Sequence, residues 1–269
     1  VIKEFEERTG WNVRVETGSA KEMLSQLEKE EADWDVAFGV SADALEEGKE
    51  YWQTGKDAWT GYSAVSFVIL YNTNVVTYRE LPTGWDSLLE PRWKGRMAVP
   101  DPLKSDMAAS VLTEAAKNSE KEEFLDLLAE NMQYQMPETF KEVEQGISDG
   151  RYSIGVTSEE AAKAMLAAGQ DVDYIDPEEG ECFFEDGTAI RKRTPNLDAS
   201  EAFVTYTTCD DTKWLLRTQL LRQPAEDVAA ENDRSDEDLK QRYSRQQEVL
   251  NIWKLIMEEK SGSAHEQEQ

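Results

Sequence analysis

The chain is poor in the side chains that most hydrolases and metal proteins rely on. It holds a single histidine, His265, which sits in the polar stretch "SGSAHEQEQ". A Ser-His-Asp triad, a Cys-His pair and a histidine-rich metal site are thereby excluded. Only two cysteines are present, Cys182 and Cys209. They allow one disulfide or two unpaired thiols, and spacing alone does not bring their Cα atoms within bridging reach. Nowhere is there a run of about 18 apolar residues, so no segment reads as a membrane-spanning helix. No G-x-G-x-x-G, P-loop, H-E-x-x-H or nucleophile-elbow motif occurs. An enzyme would have to draw a carboxylate pair with separated pKa values from the general surplus of acids. No short motif supports that reading, and no cofactor or metal is implied.

Basic residues are also scarce. Twenty-nine Lys and Arg face 56 Asp and Glu, for a formal net charge of −27. Repulsion on that scale argues against nucleic acid and anionic membrane as partners. What is there suits a globular chain with a heavily solvated surface: 39% hydrophobic and 32% charged residues over 269 positions. That length supports one large domain or two lobes with sizeable cores. No signal peptide is visible. The opening "VIKEFEERTG" starts within a helical pattern and not with Met, so the chain is expected to lack its true start.

Strand and helix patterns alternate along the sequence, which argues α/β layers. Residues 1–9 read as a helix stopped by Gly10. "NVRVE" (12–16) alternates like a half-buried strand. "DVAFG" (35–39), "YSAVSFVILYN" (62–72), "YSIGV" (152–156), "DVDYID" (171–176) and "GTAIRKR" (187–193) read as further strands. Helices are expected near 105–117, 120–131, 138–148 and 158–169, and from 198 onward. In "GWDSLLEPRWKGRMAVPDP" (84–102), Arg92, Lys94 and Arg96 crowd beside Trp85 and Trp93. The tryptophans are expected to pack a short helix, and the basic residues to form a solvated face that offsets nearby acids.

Four strand-to-helix turns carry small hydroxyl residues: Thr17-Gly18-Ser19, Ser41, Ser105 and Thr157-Ser158. Each is an ordinary N-cap sequence when taken alone. Ligands of open α/β sheets sit at the carboxyl ends of strands, where helix N-termini offer N–H groups and a positive dipole end. The four turns together therefore suit an anion, provided the fold gathers them.

The segments "FEERTGWNVRVETGSAKEMLSQLEKEEADWDVAFGVSADALEE", "FVILYNTNVV", "LPTGWDSLLEPRWKGRMAVPDPLKSDMAASVL", "DGRYSIGVTSEEAAKAMLAAGQDVDYIDPEEG" and "DGTAIRKRTPNLDASEAF" follow one another in a familiar order. That series, from residue 5 to about 225, resembles the extracytoplasmic solute-binding proteins of ABC importers. The group most resembled is the one that takes iron(III), phosphonates or sugar phosphates. The resemblance implies a two-lobed, type II periplasmic-binding-protein-like α/β fold with ligand held between the lobes. Crossings are expected near Ser66–Tyr71 and Phe183–Ile190. Lobe 1 would combine 1–70 with about 188–230, and lobe 2 would hold 71–187. Helices of about 231–260 would pack back on the lobes, and 261–269 would form a polar tail.

The function implied is capture of a small anionic organic solute, phosphonate or sugar-phosphate-like, for a membrane permease. The expected protein is an extracytoplasmic monomer, not an enzyme. Thr17, Gly18, Ser19, Ser41, Ser105, Thr157 and Ser158 would donate to the anion. Glu159, with Glu179 or Glu178, would accept from hydroxyls or an ammonium. Iron-binding members hold ferric ion with adjacent tyrosines and sometimes an early histidine. This chain has no Tyr-Tyr pair and no histidine before 265, so ferric binding through that set is not expected. A ferric-binding member and a sensor domain fused to a signalling protein stand as the alternatives.

Overall fold

The computed structural model describes residues 1–53, 58–229 and 236–267. The chain divides into two compact units. Unit 1 combines Val1–Ala64 with Glu185–Ser244, and unit 2 combines Val65–Phe184 with Arg245–Gln269.

In unit 1 the elements run α1 (Ile2–Thr9), α2 (Ala20–Glu28), β1 (Val36–Ser41), α3 (Ala42–Glu47) and the first residues of β2 (Thr60–Asn72). β2 continues into unit 2. There follow β3 (Met97–Ala98), α4 (Asp106–Asn118), α5 (Phe124–Asn131), α6 (Phe140–Ser148), β4 (Ile154–Ser158), α7 (Glu159–Ala167) and β5 (Val172–Ile175). β6 (Cys182–Ile190) returns the chain to unit 1, which adds α8 (Leu197–Thr207), α9 (Asp210–Leu215), β7 (Gln223–Pro224) and α10 (Ala225–Ala229). α11 (Asp236–Gln267) then begins in unit 1 and ends in unit 2. The expected polar tail 261–269 is helical as far as Gln267, and Glu268 and Gln269 lie outside the described residues.

Within unit 1, β1 pairs antiparallel with β6, and Ser63 and Ala64 of β2 pair with β7. Leu24, Leu45, Trp52 and Ala189 pack one buried cluster. Phe5, Phe203 and Tyr206 form another, with Phe5 edge-on to Phe203 at 5.1 Å. Asp186 is a buried carboxylate of this unit. It accepts from the N–H and hydroxyl of Ser63 at 3.1 and 2.8 Å and from the Arg222 guanidinium at 2.8 Å. Burial pushes its pKa up, and Arg222 and the Ser63 bonds oppose that.

The strand expected at 12–16 does not form. The Val13 N–H is taken by the Glu6 carboxylate at 2.8 Å, and Val15 stands 56% exposed. Among the described residues no strand lies alongside to pair it. An alternating pattern needs a partner to become a strand.

In unit 2, β4 runs antiparallel to β2 and parallel to β3, and β5 pairs antiparallel with the end of β2. β2 alternates: Phe67, Ile69 and Tyr71 enter a cluster with Trp85, Trp93 and Trp253, while Val68 and Leu70 face Val143, Ile147 and Ala162. Trp85 and Trp93 are buried, and short 3-10 turns (86–89 and 91–93) replace the expected helix. Arg92 lies over the Trp93 ring at 4.9 Å and pairs with Glu90. Lys94 pairs with Glu130, and Arg96 donates to Ser153. The basic run is therefore scaffold. No disulfide links Cys182 and Cys209.

Gly155 of β4 is where α6 presses onto the strand. A Cβ there would lie 2.6 Å from the Ala98 carbonyl oxygen and 2.8 and 2.9 Å from Val143 and Ile147. Gly155→Ala is expected to cost about 1–3 kcal/mol through overpacking. A lower urea midpoint at unchanged slope would show it, and an unchanged midpoint would contradict it.

Candidate functional site

In unit 2 the turn from β4 to α7 brings Ser158 and Glu159 together with Ser66 and Lys163. Ser158 caps α7, its hydroxyl accepting from the Ala161 N–H at 3.2 Å. Glu159 follows, half-buried, and accepts from Ser66 of β2 at 3.4 Å and from Lys163 at 2.7 Å. The Glu159 bond holds the Lys163 ammonium's pKa up. The Tyr174 phenol is raised by burial and then by Glu159. This turn lies where β2 enters the unit, since Ser158 pairs with Phe67.

α4 starts at the same end of the unit. Its cap is Ser105, whose hydroxyl accepts from the Ala108 N–H at 3.3 Å. Ser110, one turn on, donates to the carbonyl of Phe183 in β6, which lies beside β2. Gln246 of α11 donates to the Asp106 carbonyl. Both helix starts therefore stand at the end of unit 2 through which β2 enters and β6 and α11 pass. Each carries its own acid in the first turn, Asp106 in α4 and Glu159 and Glu160 in α7. Those carboxylates offset part of the helix-dipole attraction for an anion.

Thr157, a solute donor in the sequence reading, has its hydroxyl turned to a partner inside unit 2. It is fully buried, and its hydroxyl donates to Glu144 of α6 at 2.6 Å. Glu144 is the residue that sequence reading missed. "KEVEQGIS" reads as an amphipathic helix, and nothing in it marks one glutamate as turned inward. Glu179 is likewise committed elsewhere. Its carboxylate accepts from the Trp85 and Asp86 N–H groups, both at 2.9 Å, and so caps the turn at 86–89.

In unit 1, Ser41 ends β1 opposite Asp186, and its hydroxyl accepts from the Ala44 N–H at 3.4 Å. Thr17 and Gly18 are exposed and precede Ser19, the cap of α2. Ser19 accepts from the Glu22 N–H at 3.2 Å while the Glu22 carboxylate accepts from the Ser19 N–H at 3.0 Å. That capping box sets the protein's own carboxylate at this helix start. A separate cavity of about 290 Å³ lies beside α6, between Gln135–Pro137 and Arg151–Tyr152. It contains none of the expected site residues, and its Arg151 is paired with Asp149 at 2.9 Å.

Residues 21–247 match the family described as bacterial extracellular solute-binding protein. The chain belongs to that family. It is a solute-binding protein of the ABC-importer type, a class that captures small solutes and works with membrane permeases. Solved structures share its mixed α/β periplasmic-binding fold. The periplasmic binding protein P5PA superposes with a TM-score of 0.76 at 16% identity, over 95% of this chain and 94% of that one. AfuA from Actinobacillus pleuropneumoniae, with exogenous fructose-6-phosphate bound, gives 0.76 at 14% identity over 96% and 93%. The ferric binding protein from Campylobacter jejuni gives 0.74 at 17% identity over 95% and 94%. The comparison with curated proteins returned no relative. Among the described residues no helix is long and apolar enough to cross a membrane.

Burial raises the Glu144 pKa, against the opposing Thr157 bond and Lys141. In the folded chain its carboxyl thus binds a proton at higher pH than in the unfolded chain. Ionised Glu144 costs stability at neutral pH, and the cost fades as pH falls through the folded-state value. Glu144→Gln keeps the acceptor oxygen and removes the charge. It is expected to raise Tm at about pH 7, with a gain that shrinks toward about pH 4. An equal gain at both pH values, or a loss at the higher one, would contradict this origin.

Proposed function

We propose that this solute-binding protein takes a small anionic organic solute that also carries hydroxyl or ammonium groups, of the phosphonate or sugar-phosphate kind. The observation that carries the reading is the placing of two serine-capped helix starts and one half-buried carboxylate at one end of unit 2. The N–H groups at Ser105 and Ser158 supply donors for the anionic group. Glu159 supplies an acceptor for the solute's hydroxyls or ammonium. The protein binds and releases without turnover, as a monomer, and hands the solute to a permease.

A protein of net charge −27 is able to do this. Charges farther off than about 8–10 Å are screened by salt, while N–H dipoles act at contact. The test is mass spectrometry of small molecules released from the purified protein, followed by calorimetry on those found and on fructose 6-phosphate. Ser105→Glu and Ser158→Glu add volume and like charge at the two caps. Each is expected to weaken binding by about tenfold or more, about 1.4 kcal/mol. Ala167→Glu, at the far end of α7, is expected to leave affinity unchanged. Unaltered affinity in both serine variants would remove the site. A visible tyrosinate-to-iron band on adding ferric citrate would favour the ferric reading.

A further inference from the structure

Glu144 is a half-buried carboxylate of unit 2 that the proposed site does not itself use. It lies in the middle of α6 with its side chain turned toward β4, where it meets the Thr157 hydroxyl at 2.6 Å. Val143 and Ile147 of the same helix are fully buried and hold α6 against Gly155. A carboxylate is a costly group to place at such a contact. An apolar or hydroxyl side chain would pack α6 on β4 at lower cost. What a carboxylate adds is a short, charge-assisted bond to one chosen donor.

That donor is the residue just before the α7 cap. Thr157 pairs through its backbone with Val68, and Ser158 pairs with Phe67. Beyond Ser158 the strand ends and α7 begins, with the Ala161 N–H bonded back to the Ser158 hydroxyl. Whatever fixes Thr157 fixes the direction of that turn. The backbone pairing to β2 holds it within the sheet, and Glu144 holds it across the sheet, from the α6 side. The Ser105 cap of α4 is held differently, by its own first turn and by Gln246 on the Asp106 carbonyl.

We infer that Glu144 is a positioning residue for the Ser158–Glu159 turn, acting through the hydroxyl of Thr157. Its importance for binding rests on the reading of that turn as part of the solute site. Thr157 then belongs to the site as the donor of a latch and not as a contact to solute.

Amide hydrogen exchange tests this without a solute, so a failure of the binding reading leaves the result readable. Glu144→Ala is expected to speed exchange of the Ser158–Ala161 amides by about tenfold, the scale of one charge-assisted bond. Amides of Ala109–Leu112 in α4 should keep their parental rates. Thr157→Val, which removes the donor and keeps the shape, should give the same local pattern. The two changes combined should do no more than either alone, because they break one bond. Glu144→Gln, which retains an acceptor oxygen but loses the charge, should fall between the parent and Glu144→Ala, at about threefold. If Glu144→Ala fails to fold, Thr157→Val and Glu144→Gln carry the comparison. The inference is overturned by parental rates at Ser158–Ala161 in Thr157→Val, by equal acceleration in α4, or by additive effects.

Discussion

β2 is paired at Ser63–Ala64 and again from Phe67 to Asn72, and that pairing leaves almost no freedom to its neighbours. Ser63 and Ala64 pair with β7, Phe67–Tyr71 with β4, and Ile69–Asn72 with β5. Its two faces are both apolar but differ in shape. Odd residues meet the tryptophan-rich cluster, and even residues meet α6 and α7. A slip of one residue would exchange Phe67 and Ile69 for Val68 and Leu70 in both cores. It would also carry Ser66 away from Glu159 and unseat Ser158 from Phe67. The register of this strand therefore fixes where the α7 cap stands.

The sequence made that strand easy to see, because "YSAVSFVILYN" is the one long apolar run bounded by turn residues. The helix caps were equally legible. Ser19, Ser41, Ser105 and Ser158 each accept from the N–H three residues on, as a hydroxyl before a helical pattern predicts. A cap is a local object, set by four consecutive residues, and sequence carries local objects well. Segment 12–16 shows the other case. Its alternation is real, yet a strand is a property of two chains, and the Glu6 carboxylate took the Val13 N–H instead. Glu144–Thr157 and Asp186–Arg222 were invisible for a related reason. Each pair joins residues far enough apart in sequence that only the packing of a helix on a strand, or of three segments side by side, brings them together.

The same distinction divides the expected site. Ser105, Ser158 and Glu159 present groups at one end of unit 2, whereas Thr157 and Glu179 are spent inside it. The two kinds look alike in sequence, since a threonine at a strand end and a glutamate in a loop are both plausible contacts. What separates them is whether a buried partner has already taken the polar atom. A hydroxyl that donates to a carboxylate within the unit does not also donate to a solute, because it has one proton to give.

On the proposed reading, charge at the helix starts sets a last constraint on which solutes this end of unit 2 would accept. Asp106, Glu159 and Glu160 stand in the first turns of α4 and α7, where a negative side chain stabilises the helix. The arrangement that steadies each helix also weakens its pull on a free anion. A solute that is only an anion would meet N–H donors and nearby carboxylates together, and gain little. A solute that pairs its anionic group with hydroxyls or an ammonium meets both kinds of group favourably, the donors with its anion and Glu159 with its own donors. Glu159 already accepts from Ser66 and Lys163, so it is held in place before any solute arrives. Such preorganisation reduces the ordering cost of binding, and in the proposed site it would shift discrimination toward solutes that can satisfy a fixed carboxylate.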